Sequence, residues 1–132
     1  MTLTPSGPAW CSRWPTSVSV DDLEEPFATG VRRFIMALID AGAKVRISAT
    51  VRPRERAYLM HYACLIAGYT DAAGVAHQIH PEDVPRMDGV LIDWTHAGHR
   101  TAAVIAAAAM CKEYGIAYPA ALVSEHTKRR AI

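Results

Sequence analysis

The stretch of chain before the last predicted helix holds several side chains that can bind a metal ion. Two pairs of histidines in this stretch are each three residues apart, and an aspartate lies near the second pair: His77, His80, Asp93, His96 and His99. Imidazole and carboxylate groups are common zinc ligands. Such spacing defines a metal site only where a helix or tight turn fixes the ligands, and Pro81 and Gly98 interrupt this stretch. Two interpretations stay open: an independent zinc site or, more commonly, solvated histidines in a loop that Asp93 and Trp94 hold against the core.

The carboxyl end carries a second candidate site. Ser124, His126 and Ala131 match three positions of the motif Ser-x-His-x-x-Gly-x-Ala-x-Asp, so this segment resembles the D-alanyl-D-alanine carboxypeptidase-type zinc peptidases. The resemblance implies that His126 binds zinc and that Ser124 supports the turn that presents it. Arg129 stands where the motif has glycine, and the second zinc ligand of the motif, its Asp, falls beyond Ile132. The alternative for this segment is a basic tail over residues 128–130.

A central segment adds to the resemblance. Residues 48–53 end in Arg52-Pro53 ahead of a predicted helix, and they resemble the family's strand-to-helix segment ending in Tyr-Arg, with Val51 in place of the tyrosine. In that family the arginine contacts the substrate and stabilises the developing oxyanion, which implies this role for Arg52. The alternative is an ordinary surface arginine after a strand. The resemblance covers roughly residues 27–132, with residues 70–98 in the place of an insertion.

The resemblance implies both a fold and an activity. The fold is expected to be α+β, a small antiparallel sheet packed by two or three helices in the hedgehog-like architecture of D-Ala-D-Ala peptidases, with its C-terminal part missing. The activity is expected to be zinc-dependent hydrolysis of peptidoglycan stem peptides. The family's general-base Glu and third ligand His lie further downstream, so hydrolysis by this chain alone is not expected.

Two further functions stay open beside the peptidase. One is a non-catalytic cell-wall-binding or structural module with the same fold. The other is a small interaction domain whose basic residues 128–130 contact an anionic partner.

Size and net charge limit which classes of protein and of binding partner remain. At 132 residues, with 51% hydrophobic and 20% charged residues, the chain is long and apolar enough for one folded domain and unlike a disordered segment. Its formal net charge of +1 gives no overall field that favours nucleic acid or an anionic membrane. The partner implied by the resemblance is the peptidoglycan stem peptide.

The expected compartment depends on targeting and membrane-spanning segments. No signal peptide is visible and no apolar run reaches transmembrane length, so the chain is expected to be cytoplasmic when made. An enzyme acting on the cell wall would then need phage lysis or a secretion machine as an exit route. Cys11, Cys64 and Cys111 are odd in number and widely spaced, which predicts buried free thiols rather than disulfides or a thiolate zinc site.

Hydrophobic periodicity predicts three helices that position these residues. The first begins near Pro26 and stops at Gly42, and the second runs from about Arg54 to Ala67 after Pro53. The third covers about residues 100–114 and ends at Gly115. Because it is apolar on nearly every side, we expect it to be buried.

Strands are predicted between the helices. Residues 44–51 alternate between apolar and polar side chains, which is typical of a half-buried strand, and residues 89–94 and 116–123 are candidates for further extended segments. Residues 1–18 are expected to form an irregular arm anchored by Trp10 and Trp14. Residues 19–132 are expected to form a single peptidase-like domain, incomplete at its C-terminus.

Overall fold

The computed structural model describes residues 2–132, and among them it contains three α-helices and four short β-strands. The helices are α1 (Phe27–Asp40), α2 (Arg54–Ala67) and α3 (Arg100–Tyr114). The strands are β1 (Thr4–Pro5), β2 (Tyr69–Thr70), β3 (Ala76–His77) and β4 (Ile92–Asp93). The prediction of an α+β fold is confirmed, and the three helices lie where the sequence pattern predicts them.

The strands form two separate two-stranded sheets. β1 pairs in parallel with β4, with Thr4 opposite Ile92 and Pro5 opposite Asp93. β2 and β3 form an antiparallel hairpin in which Tyr69 lies opposite His77. Within the described residues these two pairs stand in place of the one small antiparallel sheet expected from the sequence.

The alternating segment 44–51 is where the strand prediction is wrong. Residues 43–49 run without helix, turn or bend, and they pair with no strand in the described part of the chain. Only the end of the segment is held by its backbone: the Thr50 N–H donates to the Ser17 carbonyl at 2.7 Å, and the Ser17 N–H donates to the Val51 carbonyl at 2.8 Å. Alternation shows that one side of a segment is apolar, but it carries no information about a partner strand. Residues 116–123 likewise form a loop.

By its internal contacts the chain divides into two compact units. The first unit comprises the chain up to Trp14 together with Glu55–Leu122, and the second comprises Pro15–Arg54 together with Val123–Ile132. Both sheets and α3 belong to the first unit, whereas α1 and the candidate residues Arg52 and His126 belong to the second. The expected division into an arm over residues 1–18 and one domain over residues 19–132 stays a prediction.

The core of the first unit is built mainly by α2 and α3. Leu59 and Ile66 of α2 and Ala107 and Met110 of α3 are fully buried in one hydrophobic cluster. α3 buries a single stripe, at positions 103, 107, 110 and 111, and Ile105 on another side is 64% exposed. The expected burial of α3 therefore holds along this stripe only, because small alanine side chains make a helix apolar without requiring its burial.

The amino-terminal residues and the stretch 70–98 both contribute to this core. Trp10 is buried in a 3₁₀ turn, Pro8–Ser12, and its indole N–H donates to the Pro5 carbonyl at 2.9 Å. Trp14 stacks on Trp10 with ring centroids 6.3 Å apart, so both tryptophans anchor this region as predicted. From the stretch that resembles an insertion, Val90, Ile92 and Trp94 are buried in the same cluster.

Aromatic residues are distributed unequally between the two units. All tryptophans and tyrosines of the sequence lie in the first unit: Trp10, Trp14, Tyr58, Tyr62, Tyr69, Trp94, Tyr114 and Tyr118. The second unit contains only Phe27 and Phe34 among its aromatic side chains.

The second unit has a small core around the start of α1. Leu23, Ala28 and Val31 are buried there, with Ile35 and Val51 packed against them. Ser19 caps the 3₁₀ turn Val20–Asp22 by accepting a hydrogen bond from the Asp21 N–H at 3.2 Å. No helix within residues 2–132 is long and apolar enough to cross a membrane.

Candidate functional site

Ser124 begins the helical turn that carries His126. The Ser124 N–H donates to Thr127 Oγ1 at 2.8 Å, and the Thr127 N–H donates back to Ser124 Oγ at 3.4 Å. These reciprocal bonds form a capping box, which satisfies two amide groups at the start of a helical turn. The Lys128 N–H closes the turn on the Ser124 carbonyl at 3.0 Å. Ser124 therefore fixes the turn, although its predicted support of a metal ligand stays a prediction.

Arg129 ends the same turn in the left-handed region, with φ of 64°. The Arg130 N–H donates to the Glu125 carbonyl at 2.8 Å, and the Arg129 N–H donates to the His126 carbonyl at 3.4 Å. This is the bonding pattern of a Schellman C-cap, whose left-handed position favours glycine because a Cβ atom is strained there. Arg129 stands at the glycine position of the motif, and the turn forms with arginine.

A second attachment holds this turn to the segment before α1. The Glu24 N–H donates to the Arg129 carbonyl at 3.0 Å, and the Arg130 Nε lies 2.9 Å from Glu24 Oε1. Both partners of the ion pair are about half exposed, so the pair orients the segment more than it stabilises the unit.

The imidazole of His126 is held in one tautomer by a carbonyl group. Its Nδ1 lies 3.1 Å from the carbonyl oxygen of Thr50, and because a carbonyl only accepts hydrogen bonds, Nδ1 carries the proton. The neutral ring then presents the lone pair of Nε2. Metal-binding histidines are commonly oriented in this way, by a backbone carbonyl at the other nitrogen.

Arg52 lies directly beside His126. Its N–H donates to the His126 carbonyl at 3.2 Å, and its half-buried side chain precedes Pro53 and the start of α2. The structure therefore brings together the arginine and the histidine that the sequence singled out, with Ser124 in the same turn. What each side chain does there stays a prediction.

Thr50 connects the segment before α1 with the turn that carries His126, and the sequence analysis did not predict this role. The residue is fully buried, and its hydroxyl donates to the Ser19 carbonyl at 2.8 Å. Its N–H binds Ser17 and its carbonyl binds His126, so all its polar groups have partners. Its partners lie far away in the sequence, and a threonine within an alternating segment gave no local signal of this role.

An apolar groove lies beside His126 within the second unit. Its volume is about 720 Å³. One side is the apolar face of α1, represented by Val31, Phe34 and Leu38, and the other side is residues 45–49. His126 and Ile132 also line it. We call this feature the α1 groove.

The described residues do not form a complete zinc site. Within residues 2–132 no three His, Cys, Asp or Glu side chains lie close enough together to hold one metal ion. A zinc hydrolase takes three protein ligands, whereas the site around Arg52 supplies one imidazole. For the zinc ion that the resemblance implies, this site therefore offers one candidate ligand, His126.

Two of the four loop histidines, His77 and His96, have partners other than a metal ion. His77 Nε2 lies 2.7 Å from Asp71 Oδ2, and its ring stacks on Tyr69 in the β2–β3 hairpin. This hydrogen bond, together with those from nearby backbone amides, lowers the pKa of Asp71. His96 Nε2 lies 2.9 Å from Ser6 Oγ and 3.1 Å from the Ser6 carbonyl, so it ties the turn after β4 to β1. These contacts support the interpretation as structural loop histidines.

The three cysteines are buried free thiols, as predicted. Burial raises the pKa of Cys11 and of Cys64, and it raises the pKa of Cys111 to about 12, with Cys64 as a neighbouring thiol. Neutral buried thiols are poor nucleophiles, so the cysteines do not add a catalytic group.

Comparison with known proteins adds no relative. No family model, no curated protein and no solved structure matches the chain.

Proposed function

We propose that this chain is a domain of the D-alanyl-D-alanine carboxypeptidase type, with the hedgehog-like architecture of that family, that recognises peptidoglycan stem peptides. The observation that carries the proposal is the backbone bond between Arg52 and His126, because it joins the two segments that resemble the family's motifs. A stem peptide ends in a carboxylate, and the planar guanidinium of Arg52 suits such a group through paired N–H donors.

Zinc-dependent hydrolysis at the same place is the second candidate. The fixed tautomer of His126, with Nδ1 bonded to the Thr50 carbonyl, favours it. His126 alone does not hold the zinc of a hydrolase, so the site as described supports recognition of the peptide and no hydrolytic step. Where further ligands complete the site, zinc would supply an activated water molecule.

Co-sedimentation with purified sacculi in EDTA tests recognition. We expect the protein to sediment with the sacculi and the Arg52→Ala variant to bind about tenfold more weakly, a loss of the size seen for one key contact. Arg54→Ala is the matched control, because Arg54 is an exposed arginine two residues away. No more sedimentation than for an unrelated protein, or equal losses in the two variants, would contradict the proposal.

The second candidate has separate readouts. Near-stoichiometric zinc in equilibrium dialysis, lost in His126→Ala, together with release of stem-peptide fragments would establish it. If the protein binds sacculi but binds no zinc and releases no stem-peptide fragments, recognition remains as the function. Binding that weakens steeply with added salt would indicate instead an anionic partner for the basic residues 128–130.

A further inference from the structure

Residues 44–49 present a backbone without partners. In the described part of the chain no N–H or C=O group of these residues makes a hydrogen bond. The run contains no proline, and it has no helix, turn or bend. A straight run of unpaired amide and carbonyl groups is what the edge of a sheet offers to an additional strand.

The same residues form one side of the α1 groove. Ile47 and Ala49 are half-buried, whereas Arg46 before them and Ser48 between them are exposed, so residues 46–49 alternate as a strand does. Across the groove Phe34 is 65% exposed although it lies on the apolar face of α1. A strand added to residues 44–49 would therefore place every second side chain against this apolar face.

The exposed side of the run is basic. Lys44 and Arg46 are both exposed, and among residues 2–132 neither has an acidic partner. Opposite charges on neighbouring strands stabilise their pairing and like charges weaken it. A second copy of this run would bring more lysine and arginine to the pairing, whereas an acidic strand would complement it.

We propose that residues 44–49 and the α1 groove bind an extended peptide in which apolar residues alternate with acidic ones. The peptide pairs with the open backbone, its apolar side chains fill the groove beside Phe34, and its acidic side chains lie near Lys44 and Arg46. Backbone pairing gives affinity in this mode and alternate side chains give specificity. The site requires no metal ion, and the Arg52 side chain does not line it.

Calorimetric titration with synthetic peptides tests the proposal. The probe is a short peptide in which valine alternates with glutamate, with both ends blocked, titrated into the full chain in EDTA. We expect saturable binding, and at least about tenfold weaker binding of the same peptide methylated on alternate backbone nitrogens, since methylation removes the pairing N–H groups. Two such peptides are needed, one for each alternating set of nitrogens. If both bind as tightly as the unmethylated peptide, backbone pairing is overturned.

Charge reversal tests the complementarity. A peptide in which valine alternates with lysine should bind the natural chain at least about tenfold more weakly than the glutamate peptide. In the double variant Lys44→Glu and Arg46→Glu the preference should reverse. An unchanged preference for the glutamate peptide in this variant would contradict the assignment.

Two helix variants test the groove. Phe34→Ser removes an exposed groove side chain and should weaken binding about tenfold. Met36→Ser is the matched control, because Met36 is 58% exposed on the same helix but does not line the groove. Both changes are at exposed positions, so both proteins should keep their helix content. Equal effects of the two substitutions would overturn the groove assignment.

Amide hydrogen exchange locates the bound peptide. We expect slower exchange at residues 44–49 when the glutamate peptide is added. Protection that is already present without peptide and rises with protein concentration would show a second copy in the groove, and it would overturn the proposal.

Discussion

The main-chain amide of Arg52 donates a hydrogen bond to the main-chain carbonyl of His126 over 3.2 Å. Because this bond joins backbone atoms, a side-chain substitution at either position leaves both of its atoms in place. The His126 ring adds a bond to the Thr50 carbonyl, two residues before Arg52. Substitution of Arg52 therefore removes its side chain without removing either atom of this backbone bond.

Thr50→Val should destabilise the protein by about 1–2 kcal/mol. The valine keeps the shape of the buried Thr50 side chain but leaves the Ser19 carbonyl without its hydroxyl donor. The free energy of unfolding from urea titrations followed by circular dichroism measures the loss. Thr101→Val, at an exposed position near the start of α3, is the matched control and should cost much less. Equal losses at the two positions would refute the role of the Thr50 hydroxyl.

Arg129→Gly should stabilise the protein by about 1 kcal/mol, because glycine occupies the left-handed region without the strain of a Cβ atom. Arg129→Ala removes the same charge but keeps the Cβ atom, so it should bring no such gain. The difference between the two variants in the free energy of unfolding measures the relief of strain less the conformational entropy that glycine adds to the unfolded chain. A glycine variant no more stable than the alanine variant would show that the turn carries no such strain.

Two tyrosines should respond oppositely to loss of their hydroxyl groups. The Tyr58 hydroxyl donates to the Pro85 carbonyl at 2.7 Å and accepts from the Trp94 indole at 3.1 Å, so Tyr58→Phe should cost about 1–3 kcal/mol. Among residues 2–132 the buried Tyr114 hydroxyl has no hydrogen-bond partner other than the neighbouring thiol of Cys11, which is a weak one. Tyr114→Phe should therefore be neutral or slightly stabilising in the same urea titrations. A large loss in Tyr114→Phe would reveal a partner for that hydroxyl.

Alkaline pH should destabilise the protein through its thiols. Burial raises the pKa of Cys111 from 9.0 to about 12. A thiol whose pKa is higher in the folded chain contributes its full stabilisation below the pKa of the unfolded chain. That contribution is lost as pH rises from 9.0 towards about 12, because the unfolded chain releases its proton first. We expect the free energy of unfolding to fall across this range.

The Cys111→Ala variant supplies the control, and the quantity compared is the slope of its free energy of unfolding against pH. The two proteins differ only at residue 111, so the difference between their two slopes reports the Cys111 thiol. We expect a shallower fall in the alanine variant. Parallel curves would contradict the raised pKa of Cys111.

Local signals in the sequence were sufficient for the helices. Pro53 ahead of α2 and Gly115 after α3 mark boundaries that the structure reproduces, because proline suits a first helical turn and glycine suits a left-handed C-cap. Segment 44–51 shows where such signals end. Its pattern predicted the half-burial of Ile47 and Ala49, but pairing depends on a partner strand elsewhere in the chain.

The candidate site was only partly predictable for the same reason. Arg52 and His126 could be singled out by resemblance to motifs, whereas Thr50 connects them through partners at residues 17, 19 and 126 that no local pattern relates. The left-handed Arg129 was not predictable from residue type, since arginine seldom adopts that conformation.

The placement of all tryptophans and tyrosines in the first unit separates the two units optically. Indole emission follows the unfolding of the first unit alone, because the second unit contains no such fluorophore. Helical ellipticity also includes α1, which belongs to the second unit. A gap between the denaturation curves from indole emission and from ellipticity would therefore measure the stability of the second unit in the unmodified protein. The natural sequence thus carries its own reporter, without any attached dye.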